Sequence, residues 1–247
     1  MRSPFLRHAE LLRERVEDWE AYPFSLPCVR SFERLEFHPK VTYLVGENGT
    51  GKSTLLEAIA VASGLNAEGG GRSDQFATKE SHSDLHRALR LARGTSRPRD
   101  TYFLRAESYY NVASHIDELD AEPGDSPKIK TYYGGKSLHE QSHGESFMAL
   151  LVHRLYGPGL YFFDEPEAAL SPMRQLALLR RMHDLVLGGS QFVIATHSPI
   201  VLAYPDAQIW SLDDGHLTEV AYADTSHVRV TRRFLGDPAS VLAKLFR

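Results

Sequence analysis

A glycine-rich segment at residues 46–54 carries the side chains in this sequence that are best suited to chemistry. From Gly46 to Ser53 it fits the pattern G-x-x-x-x-G-K-[ST], and it lies between an apolar run and a helical pattern. Glycines allow successive backbone N–H groups to point at phosphate oxygens, and a helix N-terminus adds partial positive charge. The sequence therefore predicts a loop that binds the phosphates of a nucleotide, formed by Gly46, Glu47, Asn48, Gly49, Thr50, Gly51, Lys52, Ser53 and Thr54.

Two carboxylates at the end of an apolar run would complete this phosphate site. Lys52 is expected to contact the β- and γ-phosphates, and the hydroxyl of Ser53 is expected to bind Mg²⁺. The apolar run at 160–163 is typical of a central parallel strand, and it ends in Asp164 and Glu165. We expect Asp164 to be the second Mg²⁺ ligand and Glu165 to be the general base for water, a role that contributes about 10²- to 10⁴-fold. These residues together predict hydrolysis of a magnesium-bound nucleoside triphosphate.

The elements that must position these residues alternate as in a parallel α/β sheet. Helical patterns at 144–155 and 172–187 alternate with apolar strands at 160–163 and 191–195. Further strands are predicted at 34–37, 41–45, 101–104, 208–212 and 216–220, with the last two joined as a hairpin through Asp213, Asp214 and Gly215. We therefore expect a three-layer α/β core.

Other segments are predicted to be helical. Leu11, Leu12, Val16 and Trp19 recur at helical spacing, which indicates a helical extension within residues 1–28. Helices are also predicted at 84–93 and 106–119, and two short helices are predicted around residues 236–238. In the helix at 84–93, Arg87, Arg90 and Arg93 would share one face, either to bind an anionic backbone such as DNA or to lie in solvent beside acidic neighbours.

Three further motifs resemble those of ATP-binding-cassette and SMC-like ATPases. Residues 163–171, read as FDEPEAALS, resemble the second nucleotide motif and the D-loop, and residues 142–146, read as SHGES, resemble the signature motif. Residues 195–198, read as ATHS, resemble the strand-end switch histidine. With the segments 22–27, 104–108 and 191–199, the pattern is similar, over nearly the whole chain, to small stand-alone bacterial ATPases related to SMC and RecF heads.

The resemblance implies a fold and a set of roles. It implies a P-loop NTPase fold with an ATP-binding-cassette-type core, as one domain over 1–247 with a small helical lobe at about 80–155. His197 would sense the γ-phosphate. Two chains would pair head to tail, so that the signature of one closes on the nucleotide of the other through Ser142, His143, Gly144 and Glu145.

The chain departs from the family pattern at several positions. His143 and Glu145 replace the usual glycine and glutamine of the signature, and Ser171 stands at the D-loop aspartate position. Where family members carry a glutamine that contacts the metal or the water, this chain offers Glu107 as a substitute. We treat Glu107 and Ser171 as accessory candidates only.

Composition limits the class of protein. The 247 residues are 42% hydrophobic and 24% charged with a formal charge of −4, which is typical of a globular protein without a global attraction to nucleic acid or membranes. Cys28 is the single cysteine, so neither a disulfide within the chain nor a thiolate metal cluster can form. No run of about 18 apolar residues occurs, and residues 1–28 lack the apolar centre of a signal peptide. We expect a cytoplasmic protein without a membrane span.

Three functions fit these patterns. The first is a soluble ATPase that uses Mg²⁺, dimerises with ATP and acts on a DNA or protein partner, as in repair or defence. The second is the nucleotide-binding subunit of a membrane transporter. The third is a nucleotide-gated binding module with negligible hydrolysis, which the altered signature motif would favour.

Overall fold

The computed structural model describes residues 3–71, 83–106, 120, 131 and 143–247. The predicted helix at 106–119 lies outside the described residues apart from Ala106, and so do the candidate residues Glu107 and Ser142. His143 is described by its backbone alone.

A mainly parallel sheet forms the centre of the described chain. Its strand order is β10-β9-β3-β8-β7-β6-β4. The five inner strands run parallel, and they are β3 Val41–Val45, β6 Asp100–Arg105, β7 Gly159–Asp164, β8 Gln191–Ala195 and β9 Gln208–Ser211. The edge strands β4 Gly70–Gly71 and β10 Thr218–Glu219 pair antiparallel. Every residue of β3, β7 and β8 is buried, as expected for strands that are covered on both faces.

Helices cover both faces of this sheet. The described helices are α1 Pro27–Arg30, α2 Lys52–Ala62, α3 His143–Ala149, α4 Pro172–Leu187, α5 Ser226–Gly236 and α6 Pro238–Leu245, and a π-helical turn at Leu150–Arg154 extends α3. Alternate residues of β7 enter two separate apolar cores. Phe163 packs with Leu178 of α4, and Phe162 packs in the other core with Ile59 of α2. The expected three-layer arrangement is therefore confirmed.

The predicted N-terminal helix is wrong. Residues Leu6–Leu11 form strand β1, and only a short 3₁₀ turn follows at Arg13–Arg15. In β1, Leu6, Ala9 and Leu11 are buried. The strand pairs antiparallel with β2 Arg34–Glu36 on one side and β5 Leu89–Arg93 on the other. Pairing with two distant segments overrides the helical spacing of the apolar side chains.

The predicted helix at 84–93 is also wrong. Residues Asp84–Ala88 form a 3₁₀ turn, and β5 follows directly. Arg87, Arg90 and Arg93 therefore do not share a helical face. Arg87 lies 3.3 Å from Asp84, and the Nε of Arg90 donates to Glu10 at 2.9 Å. These two arginines are therefore balanced by acidic neighbours. The region at about 80–155, predicted as a helical lobe, includes strands β5 and β6 as well as helices.

Several other predicted elements agree with the structure. Helix α4 and strand β8 have the predicted bounds, and β9 and β10 form the predicted antiparallel hairpin. Asp214 and Gly215 adopt positive φ in the turn between them. Helices α5 and α6 meet at Asp237, whose side chain accepts a hydrogen bond from the Ser240 N–H. Among the described helices, none is long and apolar enough to cross a membrane.

Candidate functional site

The glycine-rich loop joins β3 to α2 and depends on its glycines. Gly46, Gly49 and Gly51 all have positive φ, at 148°, 81° and 96°. A Cβ atom on Gly51 would lie 2.7 Å from the Sγ of Cys28, which is buried beneath the loop in α1. At this position both the backbone conformation and the close approach of another segment require glycine.

Lys52 is buried at the start of α2 and folds back onto the loop. Its Nζ donates to the carbonyl oxygens of Gly46 at 2.8 Å and Glu47 at 3.0 Å. Burial lowers the pKa of Lys52, while nearby carboxylates, with Glu165 and Asp164 foremost, act in the opposite direction. The ammonium group is thus held at the mouth of the loop by acceptors that an anionic ligand could replace.

Ser53 and Asp164 bring two oxygen donors together from different elements. The Oγ of Ser53, in α2, donates to the Oδ1 of Asp164, at the end of β7, over 2.9 Å. Mg²⁺ prefers such hard oxygen ligands and takes its remaining ligands from phosphates and water. The described residues hold no group of three His, Cys, Asp or Glu that could bind a metal by itself. The pair therefore fits a magnesium ion that arrives with a polyphosphate.

Arg105 is a charged neighbour of this pair that sequence reasoning missed. It lies beside Asp164 in the register of β6 and β7, with its Nε 3.7 Å from Asp164 Oδ2. Its Nη1 donates to Glu57 Oε2 at 2.6 Å and to the Ala67 carbonyl at 3.1 Å. Only the pairing of β6 with β7 places this guanidinium next to the predicted metal ligand.

Glu165 and His197 follow neighbouring strands and face each other. Glu165 has the left-handed conformation, with φ 49°, and its N–H donates to Ala195 O at 2.9 Å. Its Oε1 lies 3.4 Å from the Nε2 atom of His197, and this Nε2 atom is buried and has no hydrogen-bond partner among the described residues. Burial, with a further contribution from the charge of Lys52, lowers the pKa of His197, so the imidazole is neutral at pH 7.

The loop that carries His197 is held by the partly buried carboxylate of Glu167. Glu167 Oε1 accepts hydrogen bonds from the backbone N–H groups of His197 at 2.6 Å and Ser198 at 3.1 Å. Burial raises the pKa of Glu167. The Ser198 hydroxyl donates to Gln175 of α4 at 2.6 Å. Sequence reasoning assigned Glu167 no role, although its position two residues after Glu165 could have indicated that it lies near the site.

Two further residues beside the glycine-rich loop, Asp213 and Tyr22, were also missed by sequence reasoning. Asp213, after β9, accepts the N–H of Glu47 at 2.9 Å and the hydroxyl of Ser211 at 3.0 Å. Tyr22 is 67% exposed, and its hydroxyl lies 2.9 Å from the Oγ1 of Thr54. A cavity of about 210 Å³ opens here, lined by Tyr22, Leu26, Asn48, Gly49, Gly51, Lys52, Ser53, Thr54 and Glu165.

The described signature residues, Gly144 and Glu145, and the accessory candidate Ser171 lie outside the cavity beside Lys52. Gly144 is buried, and a Cβ atom there would lie 3.0 Å from the Ala169 carbonyl oxygen. Glu145 is exposed and lies 3.8 Å from Arg174. Ser171 is exposed at the start of α4, where its carbonyl accepts the N–H of Gln175. Of these residues, none lines the cavity beside Lys52.

Comparisons with known proteins place these motifs in a family. An AAA domain model matches residues 24–112, and the AAA domain model with the description AbiEii toxin, Type IV TA system matches residues 133–203. The cytochrome c biogenesis ATP-binding export protein CcmA of Rhodopseudomonas palustris (strain BisB5) is 30% identical over 206 residues, which cover 75% of this chain and 95% of CcmA.

Other similarities cover either part of a longer protein or the fold alone. The ABC transporter G family member STR2 of Medicago truncatula is 27% identical over 174 residues, which span 64% of this chain but 24% of STR2. The structure of CbiO1 from Clostridium perfringens, part of the ABC transporter complex CbiONQ, aligns with TM-score 0.52 at 17% identity over 96% of this chain and 97% of CbiO1. MJ1267, an ATP-binding cassette of an ABC transporter, aligns with TM-score 0.54 at 15% identity over 94% and 99% of the two chains.

Proposed function

Since this chain belongs to the ATP-binding-cassette family of P-loop ATPases, we propose that it binds ATP with Mg²⁺ and hydrolyses it as a dimerising nucleotide switch. The observation that carries this proposal is the 2.9 Å hydrogen bond between Ser53 and Asp164, because it joins the phosphate loop to the strand-end carboxylates. Glu165 follows β7 and His197 follows the neighbouring strand β8, and their Oε1 and Nε2 atoms lie 3.4 Å apart.

The phosphate loop would bind the triphosphate through groups that already point toward one another. The Lys52 ammonium would exchange the Gly46 and Glu47 carbonyls for β- and γ-phosphate oxygens. Ser53 and Asp164 would hold Mg²⁺, which neutralises charge on the phosphate oxygens when it is bound. The exposed ring of Tyr22 lines the same cavity and is available to stack on the base.

Hydrolysis would depend on Glu165 and His197. Glu165 Oε1 would orient the attacking water and accept its proton, while the neutral imidazole of His197 would donate from Nε2 to a γ-phosphate oxygen. The water oxygen bonds to the γ-phosphorus, and the bond from that phosphorus to the bridging oxygen of ADP breaks. The site supplies positions and charges rather than a covalent intermediate.

The signature segment supports the dimer part of the proposal. Gly144 and Glu145 lie on α3, away from the cavity of their own chain, so a second copy would have to bring its signature to this nucleotide. We propose that ATP closes such a head-to-tail dimer and that hydrolysis opens it. His143 and Glu145 would then face the γ-phosphate in place of the usual glycine and glutamine.

A transporter subunit is the second candidate. It is favoured by the relative CcmA, which is named as an ATP-binding export protein and is covered over 95% of its length. In that case a separate membrane chain would be the partner of this ATPase. In the switch proposal, the partner is DNA or a cytoplasmic protein instead.

The substitution Glu165→Gln tests the proposal. We expect slow, Mg²⁺-dependent ATP turnover by the wild type, a decrease of about 10²- to 10⁴-fold in the variant, and retained ATP binding. Light scattering should detect a dimer of the variant with MgATP. Glu14→Gln, at an exposed position in a 3₁₀ turn, is the matched control and should hydrolyse ATP as the wild type does.

Three outcomes would contradict parts of this proposal. Equal slow hydrolysis by the wild type and Glu165→Gln would favour a nucleotide-gated module without catalysis. ATP that neither binds nor shifts the melting temperature would remove the function altogether. Capture of a membrane subunit by the ATP-trapped variant, rather than DNA or a cytoplasmic protein, would favour the transporter.

A further inference from the structure

His197 is hydrogen-bonded to a second histidine that the sequence motifs do not include. The Nδ1 of His197 lies 2.8 Å from the Nε2 of His227, in the first turn of α5. The two rings are 4.8 Å apart and nearly perpendicular, at 72°. We propose that His227 is a positioning residue that donates from its Nε2–H to His197, and so keeps the proton of His197 on Nε2, facing the γ-phosphate. This inference rests on the proposed function of His197.

The protonation states of the two rings restrict the possible arrangements. Burial lowers the pKa of His197 and of His227, so both rings are neutral near pH 7. A hydrogen bond between two neutral imidazoles needs one N–H group and one lone pair. If His197 were the donor, its Nε2 would present a lone pair to the Glu165 carboxylate at 3.4 Å, which is repulsive. The opposite arrangement places an N–H there.

The other side of His227 supports the same direction. Its Nδ1 lies 3.4 Å from the hydroxyl oxygen of Ser226, the preceding residue. When His227 carries its proton on Nε2, its Nδ1 has a lone pair that faces this hydroxyl. The donors then point in one direction from Ser226 through His227 to His197, and the last donor faces the reaction site.

The turn that carries His227 is fixed, although most of α5 is exposed. Thr225 and Val228 are buried on either side of it, and the Thr225 hydroxyl donates to Tyr222 O at 2.9 Å. The Tyr222 hydroxyl donates to Pro199 O at 3.0 Å, in the loop that follows His197. By contrast, residues 229–239 are all exposed. The first turn of α5 is therefore attached to the His197 loop directly through His227 and, through the preceding residue Thr225, by way of Tyr222.

The test combines a tautomer measurement with steady-state kinetics. Nitrogen-15 NMR correlations of ring nitrogens and ring protons identify which nitrogen of His197 carries the proton, without nucleotide. We expect the Nε2–H form in the wild type, a mixture of forms in His227→Leu, and the Nε2–H form again in His227→Gln, because the glutamine amide can donate from a similar position. For ATP hydrolysis we expect kcat to fall about 10- to 100-fold in His227→Leu with little change in KM, and to recover partly in His227→Gln.

Controls separate this inference from the proposed function and from misfolding. Arg232→Gln, at an exposed position of the same helix, should leave the tautomer, kcat and melting temperature unchanged. An Nδ1–H form of His197 in the wild type would overturn the inference. So would an unchanged tautomer and kcat in a folded His227→Leu variant. If the tautomer changes as expected but no variant and no wild type hydrolyses ATP, the positioning of His197 stands and the proposed function fails.

Discussion

The carboxyl edge of the parallel sheet and the small antiparallel sheet of β2, β1 and β5 both carry charged side chains, but the two regions hold them differently. At the carboxyl edge, Lys52 and Asp164 are buried. Lys52 donates to the carbonyl of Gly46 in the glycine-rich loop, and Asp164 accepts from Ser53 of α2. In the antiparallel sheet the arginines of the ion pairs, Arg34 and Arg90, are exposed at the surface. Arg34 and Glu36 lie 2.6 Å apart with side chains about half exposed, at 50% and 49%.

This difference determines what each group of charges can do. Where water is largely excluded, a charge interacts strongly with its neighbours and with a bound anion. At the surface, water and salt screen the same interactions, so ion pairs contribute little to stability. Substitution of charged residues at the carboxyl edge should therefore change ligand binding. Substitution of exposed charges in the antiparallel sheet should change it hardly at all.

The largest expected effect comes from Lys52→Met. Loss of the ammonium removes charge-assisted hydrogen bonds to phosphate and a positive charge that interacts with Glu165, Asp164 and Asp213. We expect ATP affinity to fall about 100-fold, corresponding to two such hydrogen bonds at the lower end of their range. Calorimetric titration with MgATP measures this. Lys40→Met, at a 48% exposed lysine that pairs with Asp206, is the control and should bind ATP normally.

Equal affinity of Lys52→Met and the wild type for ATP would contradict the proposed difference between the carboxyl edge and the antiparallel sheet. It would mean that the buried ammonium, although held at the loop by Gly46 and Glu47, does not contact the phosphates.

A smaller effect is expected from alanine in the phosphate loop. Gly49 and Gly51 both have positive φ, where a side chain costs about 1–2 kcal/mol. A Cβ on Gly49 meets no atom within 4 Å, whereas one on Gly51 would lie 2.7 Å from Cys28 Sγ. Gly51→Ala should therefore lower the free energy of unfolding more than Gly49→Ala. Urea unfolding followed by circular dichroism measures both.

The double substitution Gly51→Ala with Cys28→Ala sharpens this prediction, because it removes the sulfur atom that the new methyl group would meet. The added cost of Gly51→Ala should shrink in the Cys28→Ala background. If it does not, close packing of α1 against the loop is not the reason for glycine at this position.

The smallest effect is expected from Arg34→Gln in the antiparallel sheet. Its side chain is 50% exposed and pairs with Glu36 and Glu10 at the surface. We expect a smaller shift in the urea midpoint than for Gly49→Ala, and no change in ATP affinity. Leu35→Ala in the same strand is the contrasting variant, because Leu35 is fully buried and should cost about 2–5 kcal/mol. A larger effect of Arg34→Gln than of Leu35→Ala would contradict the comparison.

The same two regions differ in how well they could be predicted. Strands β3 and β8 and helix α4 were predicted with the observed bounds, because their apolar runs and helical periodicity are local signals. Strands β1 and β5 were predicted as helices. Both segments are short, and their apolar residues fit a helix or a strand until the pairing of Leu6–Leu11 with Leu89–Arg93 is known.

The sequence by itself determined the chemistry of the phosphate loop and of the strand-end carboxylates, since order and spacing within a few residues specify which groups the ends of a strand and a helix present. Only the tertiary structure decided what surrounds them. Arg105, Asp213 and His227 contact the site through strand pairing and loop packing between segments far apart in the chain. No local pattern encodes such contacts, because they exist only once the sheet and its covering helices have assembled.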